Sequence, residues 1–197
     1  MRRTCAQEVP GVAPGTVVGT ASLRREAQIR ERHSGLTIRP VRGNLDTRLA
    51  KLDRGECDAA ILAAAGLARL GLATRIRTRL AIDESLPAPG QGALAIEVGT
   101  RDPRIAEWLG VLDDPATAAC VRAERAVSRA LGGSCTVPLG AHAISLGGAI
   151  RLRALVASPD GRRIARAEAE GSASEAERLG ERAAQTLRAR GAGEILA

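Results

Sequence analysis

Two groups of residues in this sequence are of a type and spacing that could do chemistry. The first is a single thiol. Cys135 stands in Leu131-Gly-Gly-Ser-Cys-Thr-Val-Pro-Leu-Gly140, behind a Gly-Gly pair and three residues ahead of Pro138. Glycines open backbone conformations closed to other residues and place nothing bulky beside the sulfur. The stretch before the loop reads as a helix and the stretch after it as a strand, so the thiol rides on a connection. Connections on a rigid scaffold are where covalent chemistry is presented. A half-buried structural cysteine in a tight turn is the other reading, because free cysteines are among the most buried residue types. The second group is cationic. Ser22-Leu-Arg-Arg25, Val41-Arg-Gly-Asn44, Arg48 and Arg69 place guanidinium groups near predicted helix starts and strand ends. A guanidinium grips a carboxylate with two parallel hydrogen bonds, so several together suit a ligand with several acid groups. Solvated surface arginines are the plain alternative.

The elements that must position these residues follow from the pattern of apolar positions. Pro10, Gly11, Pro14 and Gly15 mark a loop, and Thr16–Thr20 reads as a short buried strand. Ser22 is the expected N-cap of a helix reaching about Arg32. Leu36–Val41 is a second strand. Gly43-Asn44 turns it into a helix with Leu45, Leu49 and Leu52 on one side, ending at Gly55. Asp58–Ala63 is a third strand, followed by a short helix to Gly71. This alternation, with continuous apolar strands, predicts a mostly parallel sheet covered by helices, a partial periplasmic-binding-protein-like lobe. In such a sheet, strand C-termini and helix N-termini collect at one rim, and helix N–H groups there already favour anions. Arg24, Arg25, Arg42 and Arg48 fall on that rim.

A proline-flanked joint, Leu86-Pro-Ala-Pro-Gly-Gln-Gly-Ala93, closes this lobe. Beyond it the pattern predicts a strand over 93–98 and a helix after Asp102-Pro103 carrying Ile105, Trp108, Leu109 and Leu112. A longer helix after Asp114-Pro115 has Cys120, Ala123, Val127, Ala130 and Leu131 on its apolar side. Past the Cys135 loop come three strands in a meander, in which Arg151 and Arg153 alternate away from the core. Ser174-Glu-Ala-Glu177 reads as a capping box opening a last helix with Ala176, Leu179, Ala183 and Leu187 inward. The second half is therefore a small α+β module: a three-stranded antiparallel sheet with helices.

Composition narrows the function classes. The chain has 197 residues, 45% hydrophobic, with no apolar run near the length of a membrane span. Nothing near Met1 resembles a signal peptide, so a cytoplasmic protein is expected. The four cysteines show no C-x-x-C spacing and His33 and His142 are isolated, which points to neither a disulfide framework nor a metal site. The formal charge of +7 would suit nucleic acid. Without Phe or Tyr, and with one Trp, the stacking platform for single-stranded bases is missing, so no nucleic-acid partner is expected. No phosphate-binding glycine fingerprint occurs.

Six ordered motifs carry a specific resemblance. Val18-Gly-Thr-Ala-Ser-Leu-Arg-Arg25, Val41-Arg-Gly-Asn-Leu-Asp-Thr-Arg48, Lys51-Leu-Asp, Ala60-Ile-Leu-Ala-Ala-Ala-Gly-Leu67, Pro89-Gly-Gln-Gly-Ala93 and Gly132-Gly-Ser-Cys-Thr-Val-Pro138 resemble porphobilinogen deaminase (hydroxymethylbilane synthase). Glu124-Arg125 belongs to the same match. The resemblance implies stepwise joining of four porphobilinogens, with release of ammonia, in tetrapyrrole (haem) biosynthesis. It implies a dipyrromethane cofactor held by a thioether to Cys135. Ser22, Arg24, Arg25, Arg42, Asn44, Arg48, Arg69 and Gln91 would line the cleft for this cofactor, for porphobilinogen and for the oligopyrrole intermediates. Every pyrrole of that chain bears acid side chains, which agrees with the arginine rim, and a thioether anchor makes each step effectively intramolecular.

By the same resemblance, 1–92 corresponds to a second, ligand-binding lobe with a truncated start. Residues 93–112 correspond to a segment returning to a first domain that this sequence lacks, and 113–197 to the C-terminal domain carrying the cofactor cysteine. The family's catalytic aspartate belongs to that first domain, so impaired turnover is expected, with a non-catalytic anion- or oligopyrrole-binding fragment as the alternative. The family is usually monomeric. An unpartnered 93–98 strand and an apolar patch at Leu94, Ile96 and Trp108 would favour self-association here.

Overall fold

A computed structural model describes residues 13–99, 103–133 and 137–196. Three short parallel strands open the fold: β1 (Val17–Gly19), β2 (Thr37–Arg39) and β3 (Ala59–Ala60), in the order β2-β1-β3. The connections are α1 (Leu23–Arg32) and α2 (Leu45–Asp53), with α3 (Ala64–Arg69) following β3. The cap expected at Ser22 forms, and Asn44 caps the second helix. Ser22 Oγ accepts from the Arg25 amide (3.4 Å) and Asn44 Oδ1 from the Thr47 amide (2.8 Å), each satisfying a donor that a helix start leaves unpaired. Close packing behind the rim depends on Gly19, whose missing Cβ would lie 2.7 Å from Val41 Cγ2 and 2.9 Å from Cys57 Sγ. Only β1 is buried on both faces. β2 is an edge, with Thr37 and Arg39 exposed, so the expectation of continuously buried strands fails there.

The second half is built from α4 (Pro103–Leu109), α5 (Pro115–Ala130), the antiparallel meander β4 (Leu139–Leu146), β5 (Ala149–Ala157) and β6 (Ile164–Ser172), then α6 (Ala176–Ala189) and α7 (Ala192–Leu196). Asp114 caps α5 by accepting from the Thr117 amide (2.7 Å), with Pro115 at the first helical position. The inward residues of α5 and α6 meet Leu139, Ala141, Ile150, Leu152, Ala154 and Val156 of the sheet in one core. Val127, Leu152, Leu179 and Leu187 are fully buried.

Two expectations are corrected. Residues 93–98 form no strand: an isolated extended segment has no neighbour to receive its backbone hydrogen bonds, and none is present among the described residues. The apolar residues expected to lie open there do so, with Leu94 at 76% and Trp108 at 68% exposure and Ile96 exposed as well. The helix face through Ile105, Trp108 and Leu112 lies open. Finally, Ser174 does not cap α6. Ser172 accepts from the Ser174 amide (3.2 Å) and caps a short 3-10 turn, Ala173–Glu175, which runs into α6 with no side-chain cap of its own.

The two halves join along α1 and β5. Burial in β5 alternates as far as Ala154. From Leu155 to Ala157 every residue is buried, because Leu155 and Ala157 meet Ala27 and Leu86 on the other face of the sheet. Gly161, at φ +71°, lets a turn approach α1 so closely that a Cβ would lie 2.5 Å from the Ala27 carbonyl oxygen. Ion pairs Arg166–Glu31 and Arg153–Asp83 flank the contact.

Cys57 and Cys120 are 2% and 9% exposed. Burial pushes both thiols up, reinforced by the Asp58 carboxylate at Cys57 and by Glu124 at Cys120. The thiolate is the reactive form. Iodoacetamide near pH 7.5 should therefore leave both unmodified in the native chain and label both in guanidinium, as read by peptide mass. Fast native labelling of either would contradict this packing.

Candidate functional site

Arg24 is the centre of the rim. It sits in the first turn of α1, facing inward with Ala27 and Gln28, and is 7% exposed. Its Nη1 donates to the Leu86 carbonyl and its Nη2 to Gln91 Oε1 (3.1 Å). Gln28 completes the arrangement: Nε2 donates to the carbonyls of Arg24 (3.1 Å) and Leu86 (3.2 Å), while Oε1 accepts from the Leu86 amide (2.7 Å). Arg25 turns the other way and donates to the Ile61 carbonyl just beyond β3 (3.0 Å), tying the start of α1 to the end of that strand. Arg48 reaches back along α2 to the Gly43 carbonyl (2.7 Å).

These cations crowd one another. Burial and then the neighbouring Arg25 charge lower the Arg24 guanidinium to about 10, and burial and then Arg48 lower Arg25. Both stay charged at neutral pH. No carboxylate among the described residues pairs with Arg24, Arg25 or Arg48. Elsewhere carboxylates are supplied freely: Arg30 has Glu26, Arg54 has Glu56, Arg75 has Asp53 and Arg151 has Glu170. One buried and two half-buried cations with no acid paired to them among the described residues suit an anion from outside. Arg24, Arg25 and Gln91 also line one wall of a cavity of about 760 Å³ whose other walls include Ile61, Leu67, Ile76 and Ile82.

The structure thus brings Arg24, Arg25, Arg48 and Gln91 together. Ser22 and Asn44 act as helix caps beside them. Arg42 is exposed; its carbonyl accepts from Lys51 Nζ (3.2 Å). Arg69 lies exposed in the last turn of α3. Cys135 lies outside the described residues. Sequence reasoning missed Gln28, although its place one turn after Arg24 on the inward side of α1 was a usable signal. It also gave no role to the Glu124 side chain, which is 5% exposed. The carboxylate accepts from the Gly90 amide (2.6 Å) and the Ala143 amide (2.7 Å). Among the described residues no group of His, Cys, Asp and Glu could hold a metal ion, and no helix is long and apolar enough to cross a membrane.

Fold and site together define a two-part α/β and α+β protein with a cation-lined rim on its parallel sheet. Residues 3–107 match the family model described as porphobilinogen deaminase, dipyrromethane cofactor binding domain, and residues 118–189 match the porphobilinogen deaminase C-terminal domain. The chain belongs to the porphobilinogen deaminase family. It is 57% identical over 183 residues to the porphobilinogen deaminase of Thiobacillus denitrificans, covering 93% of this chain and 60% of that protein. To that of Bordetella parapertussis it is 59% identical over 184 residues, and to that of Burkholderia mallei 57% over 185, covering 59% and 56% of those proteins. The chain therefore spans about three fifths of the length of the curated relatives it matches.

Proposed function

We propose that this chain binds the pyrrole substrates of a hydroxymethylbilane synthase, joining porphobilinogen units onto a dipyrromethane held by a thioether at Cys135. The observation that carries this reading is the crowding of Arg24, Arg25 and Arg48 at the rim with no carboxylate partner among the described residues. Acetate and propionate groups on each pyrrole would meet those guanidiniums, with Arg42 and Arg69 reaching the more distant rings. Ser22 and Asn44 hold the helix starts whose amides face the same rim, and Gln91 fixes the direction of Arg24. When bound, the dipyrromethane supplies the free α-carbon to which the next pyrrole is joined. The protein's residues seat and neutralise the acids and keep the chain in place between steps. The division at 92/93 and 112/113 follows from this reading, as does a cytoplasmic location.

A second reading, a fragment that binds oligopyrroles without turnover, draws on the same rim: among the described residues no acid is paired with Arg24 or Arg25 to move a proton. Incubation with porphobilinogen followed by intact-mass analysis separates the two. A dipyrrole adduct on wild type that is absent from Cys135→Ser, with ammonia released beyond what the adduct requires, supports the enzyme. The adduct without further ammonia supports the fragment. No adduct on wild type, or one that persists in Cys135→Ser, overturns both.

A further inference from the structure

We infer that Glu124 is a positioning residue for the cation rim, acting from the C-terminal half through the 88–91 turn to hold Gln91 against Arg24. The inference rests on the rim being the pyrrole-carboxylate site. Ala88-Pro-Gly-Gln91 is a hydrogen-bonded β-turn: the Gln91 amide donates to the Ala88 carbonyl (2.9 Å), and Gly90 takes φ +72°. Proline followed by a left-handed glycine is the type II arrangement. In this turn the amide of the glycine points away from the turn's own hydrogen bond, so it needs an outside acceptor. Glu124 Oε2 is that acceptor, at 2.6 Å. On the other side of the turn, Gln91 Oε1 receives Arg24 Nη2 (3.1 Å) and the Ala88 amide (3.3 Å).

The second oxygen of Glu124 shows why the carboxylate cannot drift. Oε1 accepts from the Ala143 amide at 2.7 Å, inside β4, and His142 Nδ1 lies 3.6 Å away. β4 also holds the approach to the turn directly, because the Ala141 amide donates to the Pro87 carbonyl (3.0 Å). Gly140 lies so close that a Cβ would stand 3.2 Å from both the Leu86 and Pro87 carbonyl oxygens. One buried acid thus links α5, β4 and the turn, and the turn links to the most buried cation of the site. A charged acceptor with two backbone donors and almost no exposure is strongly directional. Glu124→Gln would put an NH₂ group where one of two N–H donors now finds an oxygen, so one of the two links must break.

The test needs no ligand in its first arm. In ¹⁵N spectra of the whole chain, Glu124→Gln should raise the exchange rate of the Gly90 amide at least tenfold and move the Gln91 side-chain amide and Arg24 Nε–H signals. Unchanged Gln91 and Arg24 signals would overturn the inference. In the second arm, porphobilinogen affinity is measured for wild type, Glu124→Gln, Gln91→Ala and the double variant. Glu124→Gln should weaken binding about tenfold in the wild type and add almost nothing once Gln91 is gone. Two fully additive losses would also overturn it, because Glu124 would then be acting elsewhere. Leu187→Ala, a core variant far from the rim, should lower the Tm and keep the affinity, which separates positioning from plain loss of stability. If wild type binds no porphobilinogen while the spectral arm succeeds, the pyrrole reading fails and the positioning role stands. If Glu124→Gln does not fold, the wild-type Gly90 amide decides: exchange at the rate of an unprotected amide overturns the link.

Discussion

Arg24→Met should leave both halves of the chain folded and weaken porphobilinogen binding by about ten- to a hundredfold, the range expected for one sheltered charged hydrogen bond. Arg24 is the cation for which the protein has gone furthest out of its way: it is nearly buried, pairs with no acid among the described residues, and is aimed by Leu86 and Gln91. Methionine keeps most of the aliphatic bulk and removes the charge. The Leu86 carbonyl still receives Gln28 Nε2, so the loss of one donor there is covered. The linkage sign supports a stable variant. Burial lowers the Arg24 guanidinium to about 10, well below its ordinary value, so from about 10 up to that ordinary value the folded chain releases a proton that the unfolded chain keeps, and stability rises with pH across that window. Below it, folding around the charged group is penalised, a penalty that methionine does not carry and that a bound carboxylate would relieve. Titration calorimetry with a thermal melt checks both halves of the expectation, with exposed Arg151→Met as the control. Full affinity in Arg24→Met would remove the main support for a carboxylate-binding rim.

Gly180→Ala should destabilise the protein by about 2 kcal/mol, lowering the Tm by roughly 4–8 °C, although alanine is the better helix former. Gly180 lies in the middle of α6 where that helix crosses α5. A Cβ there would stand 2.6 Å from Ala126 Cβ and well inside contact distance of the Ala123 carbonyl oxygen. Neither neighbour has a rotamer to change, so the two helices would have to part, loosening Ala123, Val127, Leu179 and Ala183 together. Helix propensity favours the substitution by about 1 kcal/mol, and overpacking against fixed atoms opposes it by more. Gly193→Ala in α7, where a Cβ would meet nothing within 4 Å, isolates the propensity effect and should be neutral or slightly stabilising. A higher Tm for Gly180→Ala would show that the crossing is looser than described.

The contrast between Gly180 and Gly193 shows what a sequence can and cannot convey. The inward positions of α6 were legible because a 3.6-residue period marks them in the order of residues alone. The glycine among them gave no local sign of a backbone pressed against it. Residues 93–98 failed in the opposite direction. Alanine, leucine, isoleucine and valine in extended order suggest a strand, but a strand is a property of two segments, and among the described residues the second is not there. The capping box at Ser174 failed on a smaller scale: Ser172 stands two residues earlier and makes the competing cap.

For the site, the residue types and their order were enough to single out a candidate thiol and a set of guanidiniums near helix starts, and to identify the family. Those features depend on neighbours a few positions apart, and local chemistry is written along the chain. Tertiary structure alone decided which guanidiniums would be sheltered, which would stay in solvent, and which acid in the far half of the chain would reach across to them. Arg24 and Arg25 are adjacent in sequence, yet one turns inward to Leu86 and Gln91 and the other outward to Ile61. Glu124 meets Gly90 across 34 positions. The physical reason is that burial, and with it the strength of every charge and hydrogen bond, depends on what the rest of the chain packs against a group.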